Sequence, residues 1–254
     1  MRYQDGLAKV RASLASVSLV MAVVCPALSA SSGPLNDSRV NSIVLRDGWR
    51  LQTSVLAGEN GEPISRPDFK TDGWYTASVP TTVLNALVHN SVYPDPYVGM
   101  NNMRIPDASD EFNREYGLAK FSHLPGGRNP WSDPWWFRTS FRVPEDFRDR
   151  KVWLTFEGIN YRAEIWMNGR KIAGSNEVVG MFGRWTFDVT EIASPGSESI
   201  LAVKVFPLDF PGLPGEPQLK VFGTFGLNGG PTGDIGKNVT MQCSVGWDWI
   251  PAVR

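Results

Sequence analysis

Three short stretches hold the residues whose types and spacing could do chemistry. The first is Asn129-Pro130-Trp131-Ser132-Asp133-Pro134-Trp135-Trp136-Phe137-Arg138, with three Trp in six positions beside an Asp and an Arg. Sugars present C–H faces that pack on aromatic rings, and their hydroxyls need charged or amide partners, so a mixed Trp surface suits them. Trp135 and Trp136 are therefore candidate substrate-binding residues. The competing role for this run is core packing, since alternate members of Trp135-Trp136-Phe137 must point into a sheet interior, and Phe137 is assigned there. The second stretch is Trp247-Asp248-Trp249. An Asp between two aromatic walls, behind a Gly- and Pro-rich lead-in, suits bidentate bonding to a pair of sugar hydroxyls. The alternative is a buried Asp capping a turn. The third is Asn176-Glu177, the dipeptide that carries the acid/base carboxylate in many retaining glycosidases. Here it follows a hairpin turn and not a barrel strand, so a surface loop is expected.

Other chemistries are poorly supplied. Two Cys and two His in 254 residues nearly exclude a zinc site of those ligands and leave little for a Cys–His or Ser–His pair. A net charge of −1 without a basic block argues against nucleic acid. No metal, cofactor or catalytic residue is assigned, and neither nucleic acid nor a membrane is expected as a partner. With 42% apolar and 20% charged residues the composition is that of a globular protein.

The N-terminus reads as an address. Arg2, Lys9 and Arg11 precede an uncharged run from Ala12 to Val24, and small residues follow to Ala30. This is the layout of a secretory signal cleaved near Ala30, and its apolar run falls short of the roughly 20 residues a membrane helix needs. A buried helix is the alternative. Residues 31–42 are polar and expected to be a flexible linker. Without the leader only Cys243 remains, so no internal disulfide can form, as fits a secreted or periplasmic bacterial protein.

Positioning elements follow from periodicity. One or two short strands are expected around Asp47-Gly48-Trp49, and a short helix from Thr81 to Asn90 with Thr81 as its cap. Residues 91–134 form a long Pro-rich connection with one or two helical turns from Asp107 to Tyr116, a length that goes with function or with covering a sheet. From Pro134 the pattern has period two through Val143, Val152–Phe156 and Arg162–Met167. Asn168-Gly169 makes a type I′ turn into a return strand at Arg170–Ala173. Thr186–Val189 and Ile200–Phe206 add two strands. The fold class is all-β, an antiparallel sandwich with one or two short helices. Residues 207–236, with 8 Gly and 5 Pro, suit neither strand nor helix.

Taken in order, Pro134–Phe141, Leu154–Gly169, Phe187–Thr190 and Leu201–Val205 resemble the N-terminal sugar-binding domain of glycoside hydrolase family 2. Within it, Asp95-Pro96-Tyr97-Val98-Gly99-Met100-Asn101 and Gly246-Trp247-Asp248-Trp249 are similar to the branch of β-mannosidases and exo-β-glucosaminidases. The resemblance implies a galactose-binding-like jelly roll over residues 43–254, incomplete at its C-terminus. It implies that Trp247, Asp248 and Trp249 line the pocket for a terminal β-linked sugar, and that the downstream domains of the parent enzyme are the protein partners. A family barrel alone takes about 250 residues and carries both catalytic glutamates, so this chain is expected to position substrate without hydrolysing it. A stand-alone, lectin-like secreted module is the other reading. The long 91–134 segment favours a chitosan-like glucosaminide over a β-mannoside.

Overall fold

The computed structural model describes residues 7–12, 42–108, 110–180 and 183–207. Residues 31–41 of the expected linker, the 208–236 segment and Trp247-Asp248-Trp249 lie outside these. In chain order the strands are β1 Leu7–Ala12, β2 Ser42–Val44, β3 Trp49–Thr53, β4 Tyr75–Ala77, β5 Trp135–Arg142, β6 Lys151–Phe156, β7 Arg162–Met167, β8 Arg170–Val179, β9 Trp185–Asp188 and β10 Glu198–Val205. The helices are α1 Ser54–Ala57, α2 Gly61–Ile64, α3 Val83–His89 and α4 Asp110–Glu115. Six strands form one sheet in the order β4-β3-β5-β10-β7-β8, and four form a second in the order β2-β1-β6-β9. The larger sheet is antiparallel throughout, with β10 between β5 and β7.

The turn chemistry follows the sequence. Asn168 and Gly169 both take positive φ, 51° and 80°, which the type I′ hairpin requires. The Asn168 side chain also anchors the turn, donating to the Ile192 carbonyl at 2.9 Å and accepting from the Ile200 amide at 2.7 Å.

Alternation along the strands sends one set of side chains between the sheets. Trp49, Leu51, Trp135, Phe137, Ile165 and Leu201 from the larger sheet meet Val152, Leu154 and Phe156 of β6 in a single core. The opposite face of β5 is not solvated, contrary to a one-sided sheet. Residues 54–74 fold over it, and Trp136 and Ala202 form a second core with Ile64 and Trp74. The cover lies so close that a Cβ on Gly61 would stand 2.4 Å from the Trp166 indole, so only glycine fits. Two cations are buried beneath it. Arg138 donates to the carbonyls of Ile64 and Arg66 at 2.8 and 2.9 Å, and Lys204 bonds the Glu59 carboxylate.

The described residues hold four short α-helices, two of them formed where residues 54–64 coil to cover β5. Two expectations need correction. The cap of α3 is Thr82 rather than Thr81, its hydroxyl accepting from the Asn85 amide at 3.1 Å. Asn176-Glu177 lies within β8, exposed, and not in a loop. That strand runs six residues past Ala173, and the Glu177 carboxylate accepts from the Gly174 amide at 2.7 Å across an irregularity in the β7–β8 register.

Candidate functional site

At one end of the sandwich lies an open cavity of about 740 Å³. It is bounded by α3, the Asp95–Tyr97 turn, the Trp131–Trp135 segment, Asn160 in the β6–β7 connection, and Val205–Pro207 at the end of β10. Each wall has a local cause. Thr82 caps α3 and fixes its first turn, so Val83 and Val88 pack against the main core while Asn85 reaches the cavity. The Asp95 carboxylate accepts from the Tyr97 amide at 2.9 Å and its carbonyl from Asn101 Nδ2 at 3.1 Å. That turn leaves Tyr97 68% exposed at the rim.

The aromatic wall is held from behind. Trp131 is half-buried; its Nε1 donates to the Pro106 carbonyl at 2.6 Å and its amide to Asn129 Oδ1 at 3.0 Å. Asn129 is itself buried and donates to the Asp107 carbonyl at 3.0 Å, which ties the wall to the 91–134 connection. Tyr93 and His123 pack edge-on to each other behind the Trp rings, sharing a 2.7 Å hydrogen bond between the Tyr93 hydroxyl and His123 Nδ1. Burial pushes the Tyr93 hydroxyl up to about 12 and pushes the His123 imidazole below its ordinary range. Both groups are therefore neutral near pH 7.

The polar lining combines two carboxylates with Thr82, Asn85, His89, Tyr97 and Asn160, which carry donors as well as acceptors. Asp95 and Asp133 supply carboxylates, and no Lys or Arg is among the lining residues. Asp133 is held by a two-pronged contact from Arg128, at 2.5 and 2.7 Å. Asn160 Oδ1 is buried with no hydrogen-bond partner among the described residues. A buried acceptor left unpaired costs about 1–3 kcal/mol. Among the described residues, no group of three His, Cys, Asp or Glu is placed to hold a metal ion, and no helix is long and apolar enough to cross a membrane.

Of the candidate residues, Trp135 borders the cavity and is 3% exposed, its Nε1 donating to the Pro130 carbonyl at 2.9 Å. Trp136 points the other way, fully buried in the second core, with its Nε1 on the Gly58 carbonyl at 2.8 Å. Trp247, Asp248 and Trp249 lie outside the described residues. Residue types alone did not single out Trp131, Asp133, Asp95, Tyr97 or Asn160 individually. The first two lie in the Trp-rich run, Asp95 and Tyr97 in the Asp95–Asn101 motif and Asn160 in the Leu154–Gly169 stretch. Only the folded chain brings those stretches together.

Residues 128–254 match the family model described as glycosyl hydrolase 2 galactose-binding domain-like. The chain is 36% identical over 219 residues to a mannosylglycoprotein endo-β-mannosidase of Lilium longiflorum, covering 83% of this chain and 19% of that one. It is 31% identical over 162 residues to an exo-β-D-glucosaminidase of Amycolatopsis orientalis, covering 64% of this chain and 13% of the relative. The crystal structure of the Amycolatopsis orientalis exo-chitosanase superposes with a TM-score of 0.51 at 30% identity, over 65% of this chain and 16% of that chain. The chain thus spans less than a fifth of the length of these relatives.

Proposed function

The chain belongs to glycosyl hydrolase family 2, and from that membership we propose that it is the exported, carbohydrate-binding N-terminal part of an exo-glycosidase acting on terminal β-linked sugars. Its task is to hold the substrate. The catalytic carboxylates are supplied by downstream domains of the parent enzyme, which would work by the retaining, two-carboxylate route. One sugar ring lies against Trp131 with Tyr97 at the rim, and Trp135 backs that wall. Asp95 and Asp133 accept from ring substituents. Trp247, Asp248 and Trp249 complete the terminal-sugar pocket, with Asp248 binding hydroxyls.

One observation carries this reading: a cavity lined by the half-buried Trp131 and by the carboxylates Asp95 and Asp133, with no Lys or Arg in its lining. Asp133 is already engaged by Arg128, so Asp95 is the carboxylate left to favour a ligand with hydroxyl or ammonium donors. That chemistry supports a chitosan-like glucosaminide over a β-mannoside.

Titration of the purified chain with glucosamine oligomers and with β-1,4-mannobiose, followed by Trp fluorescence, tests it. Saturable quenching by the glucosamine oligomers is expected, with weaker response to mannobiose. Trp131→Ala should weaken glucosamine binding by roughly tenfold, the worth of one stacked ring. Absence of saturation with either sugar removes the binding role. Release of 4-nitrophenol from its β-glucosaminide by the pure chain removes the assignment of catalysis to other domains.

A further inference from the structure

A second hollow adjoins the cavity and differs from it in charge. It is an open groove of about 550 Å³ bordered by β3, β4, residues 78–81 and α3, and it shares Asn85 and His89 with the cavity. Where the cavity carries Asp95 and Asp133, no Asp or Glu is among the groove's lining residues, and its one permanent charge is the Arg50 guanidinium. The walls are held by bonds of their own. The Asn90 side chain pairs with the edge of β4, accepting from the Thr76 amide at 3.1 Å and donating to the Thr76 carbonyl at 2.8 Å. That contact ties the end of α3, and with it His89, to the strand. The Val79 amide donates to the Arg46 carbonyl at 2.7 Å, which holds Ser78 beside the approach to β3.

Three donors in the lining are left over. The side chains of Arg50, Ser78 and His89 are exposed and make no hydrogen bond or ion pair among the described residues. The ladder gives Arg50 no counter-ion either, for its cross-strand partners are Thr76 on β4 and Arg138 on β5. The Thr76 hydroxyl donates to Asn90 Oδ1 at 3.1 Å. Arg138 is a like charge, turned under the 54–74 cover onto the Ile64 and Arg66 carbonyls. Like charges directly opposite one another destabilise a sheet, so an anion beside Arg50 offsets a repulsion built into the register.

We propose that this groove binds a sulfate ester carried on a sugar. A sulfate ester accepts hydrogen bonds and donates none, offers three terminal oxygens to three donors, and bears one charge to match one guanidinium. A phosphate monoester carries about 1.5 to 2 charges near pH 7, more than a single Arg balances. The groove is also too large for a bare ion, since its volume falls within the roughly 300–1,000 Å³ of small-ligand sites. Ala77 and Pro80 line it with short apolar groups against which a ring can lie. The groove thus takes an anion, while the cavity beside it takes hydroxyl or ammonium donors.

NMR titration of the full chain with glucose 6-sulfate tests this, because Arg50, Ser78 and His89 resonances report the groove while Trp131 and Tyr97 report the cavity. Saturable shifts at the groove are expected, with inorganic sulfate and glucose 6-phosphate each at least about fivefold weaker and glucose without effect. Arg50→Gln should weaken glucose 6-sulfate by about tenfold and Ser78→Ala by about threefold, both at an unchanged melting temperature because the side chains are exposed. No saturation at the groove overturns the proposal, and so does parent-like affinity in Arg50→Gln. Inorganic sulfate bound as tightly as the sugar sulfate overturns the sugar, and glucose 6-phosphate bound as tightly overturns the choice of ester.

Discussion

Trp135 and Trp136 are adjacent in sequence and serve opposite faces of one sheet. Trp135 faces the inter-sheet core and the cavity; Trp136 faces the second core under residues 54–74. The two faces are built on different terms. Behind Trp136 everything is closed, with buried Arg138 and Lys204 spent on Ile64, Arg66 and Glu59. Burial would raise the Glu59 carboxyl, but the Lys204 hydrogen bond and charge hold it below its ordinary value. Around Trp135 the arrangement is open at one end and leaves an acceptor unpaired at Asn160. The closed face carries stability. The open face leaves room for a ligand.

If that division holds, the largest effect belongs to the closed face. Trp136→Ala should cost about 3–5 kcal/mol, from lost burial and a cavity that the cover cannot fill. Chemical denaturation reads this directly, and sugar affinity of the fraction still folded should be unchanged. A loss of affinity in the folded fraction would break the division. Arg138→Met comes next. It keeps the aliphatic stem but removes the donor to the Ile64 carbonyl and leaves the Arg66 carbonyl with the Phe69 amide alone, a loss of about 1–3 kcal/mol. A variant as stable as the parent would show that water reaches those carbonyls and that the face is not closed.

A smaller effect separates the faces by pH. Burial lowers the His123 pKa behind the open face, so the unfolded chain binds a proton more readily than the folded one. The stabilisation is present above the unfolded value of about 6.5 and is lost as pH falls below it. Thermal melts between about pH 7.5 and 5.5 should show a drop in Tm that His123→Gln reduces. Trp136→Phe, on the other face, should leave that slope intact. Equal slopes for parent and His123→Gln would mean that the imidazole is not held neutral.

Much of this was legible in the sequence. Period two from Trp135 to Met167 and the Asn168-Gly169 turn specified β5, β7 and their hairpin, because side-chain alternation and positive φ are local properties. The double-sided burial of β5 was not legible. Arg138 reads as a solvent residue until residues 54–74 fold over it, and that contact spans more than 60 positions. The site was legible in pieces for the same reason. Aromatic clustering marked Trp131–Trp136 as a group, but alternation could not say which Trp faced the cavity, since Trp135 and Trp136 are both buried. Asn160 carries its signal in an unpaired oxygen, which exists only once the chain is folded.

The smallest expected effect concerns Glu177, the one residue whose sequence context invited a catalytic role. It sits exposed on β8, in the edge position of the six-stranded sheet, and the cavity lining does not include it. Its carboxylate is occupied locally by the Gly174 amide. Glu177→Gln keeps an acceptor oxygen for that amide and removes only an exposed charge, so stability should move by less than about 0.5 kcal/mol. Sugar affinity should not move at all. A carboxylate serving as acid/base needs a substrate oxygen within about 3 Å, and an edge-strand side chain outside the cavity has none to meet. A measurable loss of sugar binding in Glu177→Gln would therefore place a second carbohydrate surface on β8, and the open face would no longer be the whole site.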